Sequence, residues 1–146
     1  MHNIFLHLPG IPQRATLLET LLKSIDPVLN PGTYVFGSVR DLRSLDPVSI
    51  VACIREQEGL SVVLREEDAN RQGVAVLFRC AWITLNVNSA LQAVGLTAAF
   101  SQALGDVGVS CNVVAGAFHD HIFVPKEEAE KAMNVLRSIQ RKANAK

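Results

Sequence analysis

Aromatic residues are scarce, 5% of the chain, with a single tryptophan and a single tyrosine among them. So thin a supply argues against a surface on which nucleic-acid bases stack. Net charge is absent as well, 14 Lys and Arg meeting 14 Asp and Glu. No overall field therefore draws the chain to nucleic acid or to an acidic membrane. Arg137, Arg141, Lys142 and Lys146 do gather at the C-terminus, where they suit the end of a helix dipole. Cysteine is limited to Cys53, Cys80 and Cys111, with no C-x-x-C spacing. A scattered, odd set reads as reduced cysteines packed as small hydrophobes inside a cell. No apolar run reaches the roughly 18 residues of a membrane span. MHNIFLHLPGIP lacks a basic n-region, and His7 and Pro9 break its apolar run, so it makes a poor signal peptide. A soluble, cytoplasmic protein is expected.

What the chain has is apolar residue, 49% of 146, enough for one domain or for two small ones sharing a core. Leu17, Leu18, Leu21, Leu22 and Ile25 share one face of a helix over 15–25. DPVLNPG then stops it with two prolines and a glycine. Residues 33–39 read as a strand. Asp46 and Pro47 form an N-cap and N1 pair, predicting a helix to about Gln57 with Val48, Val51, Ala52 and the Arg55 stem on its core face and Ile54 alongside. Gly59 closes that helix. Strands follow at 60–64 and 74–78, separated by one helical turn and a loop.

The second half repeats this rhythm. Ala81, Ile83, Leu85 and Val87 alternate with Trp82, Thr84 and Asn86 along a strand. Leu96, Ala99, Phe100, Ala103, Leu104 and Val107 form a helical face ending at Gly108. Strands at 109–115 and 119–124 follow. A last helix after Pro125 buries Ala129, Ala132, Met133, Leu136 and Ile139, with acids early and bases late. The halves read α-β-α-β-β and β-α-β-β-α, the same elements circularly shifted. This predicts a duplicated ferredoxin-like α+β fold, two antiparallel sheets with helices packed on one face, the sheets joined or packed together. The first module spans 1–79, including the N-terminal helix, and the second spans 80–146.

Two places could carry chemistry. Val94, Gly95, Leu96 and Thr97 open a helix, whose unpaired N–H groups and dipole suit a carboxylate or other small anion. The plainer reading makes Gly95 a bend and Thr97 an N-cap for its own helix. The other place is His119, Asp120 and His121. On a strand the two histidines point outward and Asp120 points inward with Ile122 and Val124. Two imidazoles lack the further ligands a zinc site needs. A His–Asp pair needs a nucleophile, and Cys111, in an apolar strand, reads as inert core. No catalytic residue, metal or cofactor is predicted. A buried, unpaired Asp120 would be costly and should have a partner.

GLTAAFSQALGDVGVSCNVVAGAFHDHIFVPKEEAEKAMNVL, from Gly95 to Leu136, resembles the ACT domain, a small regulatory module attached to aspartate kinases and other enzymes of amino-acid metabolism. The helix between Gly95 and Gly108, the hairpin, the V-P-K-E-E-A exit and the final helix follow in ACT order. The first half matches chiefly through YVFGSV and REQEGLSVVL. The whole chain is similar to small tandem-ACT proteins related to the ACT regions of aspartate kinases and cytosolic arginine sensors. That resemblance implies a non-catalytic regulatory protein holding a small ligand, usually an amino acid, where two modules meet. It implies contacts from the loop after the first strand and the start of the second, here Val94 to Thr97 with Ser110, Cys111 and Asn112. Ser110 stands where aspartate kinases often have Asn. Asn86 and Ser89 could complete the site or hold their own loop, and Asn112 could simply face solvent. Asp120 lies where a ligand ammonium would fall, and Arg40 and Asp41 mark the corresponding loop of the first half. A homodimer is expected. The alternative is a ligand-free module that only assembles, and a less favoured one is an enzyme or metal protein built on His119, Asp120 and His121.

Overall fold

The computed structural model describes residues 14–87 and 93–146. The chain runs α1 (Arg14–Lys23), β1 (Asp26–Leu29), β2 (Tyr34–Val39), two 3₁₀ turns (Leu42–Ser44 and Pro47–Ser49), β3 (Ile50–Arg55), β4 (Leu60–Arg65) and α2 (Glu66–Gln72). It continues with β5 (Phe78–Asn86), α3 (Leu96–Asp106), β6 (Asn112–Ala115), β7 (Asp120–Pro125), a 3₁₀ turn (Lys126–Glu128) and α4 (Ala129–Asn144). The two expected sheets are joined edge to edge into one antiparallel, seven-stranded sheet of order β3-β4-β2-β5-β7-β6, with β1 also on β5.

β5 is the seam. Along one edge it pairs with β7 from Cys80↔Pro125 to Leu85↔Asp120. Its other edge is divided. Phe78 and Cys80 face Phe36 and Tyr34 of β2, while Ile83 to Asn86 face Leu29 to Asp26 of β1. Asn30 holds the break between β1 and β2, bonding the Trp82 carbonyl through its backbone N–H at 2.9 Å and Thr84 Oγ1 through its side chain at 2.9 Å.

Alternation along β5 builds the main core. Ala81, Ile83 and Leu85 join Ile122 and Val124 of β7 against Leu21 of α1, Leu96, Phe100 and Leu104 of α3, and Ala132, Met133 and Leu136 of α4. Each large apolar side chain fully buried here contributes about 1.5–3 kcal/mol. The first half has a thinner cover: Val35, Val62 and Leu64 lie beneath Leu45, Ala69 and Val74.

Four features depart from the sequence reading. The helix predicted from Asp46 to Gln57 is β3. Asp46 does cap, its carboxylate accepting from the Val48 N–H at 3.1 Å, but it caps only a 3₁₀ turn. Ile50, Val51 and Ile54 are β-branched and favour the extended chain. β4 supplies a partner for every residue from Ala52 to Arg55. The stretch DPVL, taken for a stop, forms β1. Pro27 is tolerated because β1 pairs with β5 alone. The expected strand 74–78 is irregular up to Phe78, and Val74 fills the space above Gly37, where a Cβ would meet Val74 Cγ1 at 2.5 Å. Finally, α1 does not serve the first half. Leu21 and Ile25 enter the core of the second half, and Asn144 of α4 donates to the Lys23 carbonyl at 3.2 Å.

Candidate functional site

α3 runs antiparallel to β5, which puts its first turn at the Asn86 end of the sheet. Gly95 is its N-cap, with φ +100, and no side chain among the described residues caps the helix. Thr97 is exposed and is not the cap; its carbonyl instead accepts from Ser101 Oγ at 2.6 Å. Val94 is exposed and Leu96 buried. A Cβ on Gly95 would come within 2.9 Å of Leu18 Cδ2, so α1 leans directly on this turn. Asn86 is exposed and pairs with Asp26. Asp120 sits across from Leu85 on one side and Ala115 on the other, at the same end of the sheet. Ser89 lies outside the described residues.

Ser110, Cys111 and Asn112 belong to the opposite end. The Val109 N–H bonds the Leu104 carbonyl at the close of α3, and an eleven-residue helix is about 16 Å long. Asn112 faces Phe123, and its amide donates to the Phe123 carbonyl at 3.4 Å, a bond to its own hairpin. Within one chain the expected residues therefore form two groups. Asn86, Val94, Gly95, Leu96, Thr97 and Asp120 share one end, while Ser110, Cys111 and Asn112 lie at the other.

Asp120 is half-buried and forms no ion pair among the described residues. Burial raises its pKa, and the neighbouring His121 only partly opposes this. Asp120 thus brings a partly desolvated carboxylate to this end of the sheet. In the first half, Asp41 is instead committed to its own turn. It accepts from the Arg43 backbone at 2.8 Å and the Arg43 guanidinium at 2.7 Å, which holds its carboxyl below the ordinary range. Arg40 is exposed beside it.

The histidines are not both outward, as alternation alone predicts. His121 lies on the face of the sheet away from α3 and α4, yet that face is covered. Trp82 donates its indole N–H to His121 Nδ1 at 3.0 Å. His119 Nδ1 is buried and has no hydrogen-bond partner among the described residues. Cys111 packs against the helix-side core, so it and His121 stand on opposite faces of the sheet. Burial raises the Cys111 thiol pKa and pushes that of Cys80 up to about 12, which keeps both protonated. Among the described residues no three His, Cys, Asp or Glu side chains converge as a metal site would require. No described helix is long and apolar enough to cross a membrane.

This architecture is the duplicated ferredoxin-like α+β fold, its two modules built edge to edge. The ACT domain family matches the chain twice, at residues 15–81 and 77–138, and the chain belongs to that family. The two matches overlap where β5 begins. A Vibrio cholerae protein of unknown function, described as a possible transport protein, is 42% identical; the alignment covers 88% of this chain and 99% of that one, with a TM-score of 0.77. An Agrobacterium tumefaciens protein is 20% identical over 80% of this chain and 89% of its own, with a TM-score of 0.62. The regulatory subunit of aspartate kinase from Thermus thermophilus, in its ligand-free form, shares the fold at 12% identity, covering 80% and 97% with a TM-score of 0.63. Comparison with curated protein sequences finds no match.

Proposed function

We propose that this protein is a non-catalytic, cytoplasmic regulator that binds a free amino acid. The modules are best divided by packing. β2, β3, β4 and α2 form the first, and β5 to α4 with α1 and β1 form the second, the start of β5 serving both. The ligand carboxylate lies at the uncapped first turn of α3, and its ammonium group is taken by Asp120. Asn86 lies at the same end of the sheet, on the face turned away from α3. Ser110, Cys111 and Asn112 join this site only across an interface, from a second copy of the chain in a homodimer. Ligand then stabilises one packing of modules or subunits over another, shifting populations rather than driving chemistry.

The observation that carries this reading is Asp120, a half-buried carboxylate that, among the described residues, has no ion-pair partner, at the same end of the sheet as a helix start to which none of them gives a side-chain cap. A zwitterion satisfies both at once. A thermal-shift screen of the twenty amino acids tests it. One or a few should raise the melting temperature of the parent protein and leave Asp120→Ala unmoved. No shift with any of them refutes the ligand.

A second reading, a module that only assembles, is favoured by Phe118 at the β6–β7 turn and Val48 in the first half, 80% and 92% exposed. A stable dimer in light scattering without any amino-acid response would select it.

A further inference from the structure

The seven-stranded sheet curls. β3 and β6 stand at opposite ends of the strand order, yet Val51 and Ala52 of β3 and Val114 of β6 pack into one apolar cluster with Tyr34 and Phe123. Inside the curl is a cavity of about 280 Å³ lined by Val51, Ala52, Trp82, Val114, His121 and Phe123, together with Cys53 and Gly116. The irregular register between Ile50 and Ala52 turns two successive residues, Val51 and Ala52, towards the same cluster.

Its walls are held in place. Tyr34 meets Trp82 edge-on at 5.2 Å, and Phe123 lies nearly parallel to Trp82 at 6.3 Å. Trp82 occupies His121 Nδ1 as an acceptor, so the neutral imidazole carries its hydrogen on Nε2. Burial and His119 keep that imidazole neutral, Asp120 opposing them only in part. Nε2 has no partner among the described residues. It faces Gly116, where a Cβ would come within 3.1 Å of it. The cavity therefore offers aromatic and aliphatic walls, with His121 Nε2–H as a side-chain donor. No Lys, Arg, Asp or Glu lines it.

We propose that this cavity is a second binding site, for a small uncharged molecule with an aromatic or branched apolar body and one hydrogen-bond acceptor, which His121 Nε2–H engages. At about 280 Å³ it lies just under the usual range of ligand cavities, about 300–1,000 Å³, which limits the guest to roughly the size of benzamide. A carboxylate would lose its hydration with no cation to replace it. The site lies on the face of the sheet opposite Asp120 and α3, and it stands whether or not an amino acid binds there.

Trp82 is the only tryptophan, so its fluorescence reports on the cavity directly. Titration of the full chain with benzamide should change that fluorescence saturably, with benzoate binding at least tenfold more weakly and toluene several-fold more weakly. Ala52→Leu, which fills the cavity, should abolish the response, and Val114→Phe should do the same should the first variant not fold. On the parent protein, nuclear Overhauser contacts between benzamide ring protons and the Trp82 indole should place the probe without any variant. The proposal is overturned by the absence of saturable binding, by binding that both filled variants retain, or by missing contacts to Trp82 at saturation. It is equally overturned if fluorescence changes with protein concentration alone, which would mean that a second copy of the chain covers the cavity.

Discussion

Trp82 on β5 donates its indole N–H to His121 on β7 at 3.0 Å, a diagonal pair across strands in which Thr84 is the residue directly opposite His121. A protonated imidazole would carry hydrogen on both nitrogens and lose this bond. Folding lowers the His121 pKa below its ordinary 6.5, through burial and His119, with Asp120 opposing. The unfolded chain therefore takes the proton first as pH falls. The stability contributed by neutral His121 is complete above about pH 6.5 and drains away as pH drops through the folded value. His121→Phe should remove this slope, which denaturant melts between pH 7.5 and 5 would reveal.

Asp120 carries the opposite sign. Burial raises its pKa, so its ionised form opposes folding, and the penalty grows as pH rises above the ordinary carboxylate value of 3.8. Asp120→Asn should melt higher than the parent at pH 7 and match it in acid. If Asn melts lower at pH 7, Asp120 has a stabilising partner in the folded chain, and the amino-acid reading loses its basis.

Gly95 meets two demands at once. Its φ of +100 disfavours any side chain, and a Cβ would press on Leu18 at 2.9 Å. Gly95→Ala should cost about 1–3 kcal/mol. Adding Leu18→Ala should recover the part due to contact and leave the backbone part, which a double-mutant cycle of chemical melts separates. Full additivity of the two changes would contradict the contact.

Burial also sorts the apolar residues into those that matter for stability and those that do not. Phe100 is fully buried at the centre of the helix-side core, and Phe100→Ala should cost about 3–5 kcal/mol. Val48 is 92% exposed, and Val48→Ser should change stability by no more than about 0.5 kcal/mol. A large loss at Val48 would place it in an interface between subunits.

Strong local periodicity made the second half readable. Alternation along β5 named Ala81, Ile83 and Leu85 as core, and helical spacing named Phe100 and Leu104. The same reasoning misread 46–57, because Val48, Val51, Ala52 and Arg55 fit a helical face while the hairpin partner at 60–65 was needed to decide for a strand. β1 was hidden by its proline, whose tolerance depends on having one neighbour. The site divided along the same line. The inward side of Asp120 follows from alternation. The bond from Trp82 to His121 joins residues 39 apart, and nothing local announces it. It requires the strand register, and the cavity beside it requires the curl of a sheet that neither half contains alone.

The docking of α1 and β1 on the second half bears on how the chain is made. Ribosomes release the N-terminus first, yet α1 rests on α4, and Asn144 reaches back to Lys23 across 121 positions of sequence. β1 likewise waits for the far half of β5. α1 and β1, with Leu18, Leu21 and Leu22 among their apolar residues, rest on elements that lie later in the chain. α1 and β1 thus cannot dock until the strand and helix that hold them, both made later, are in place.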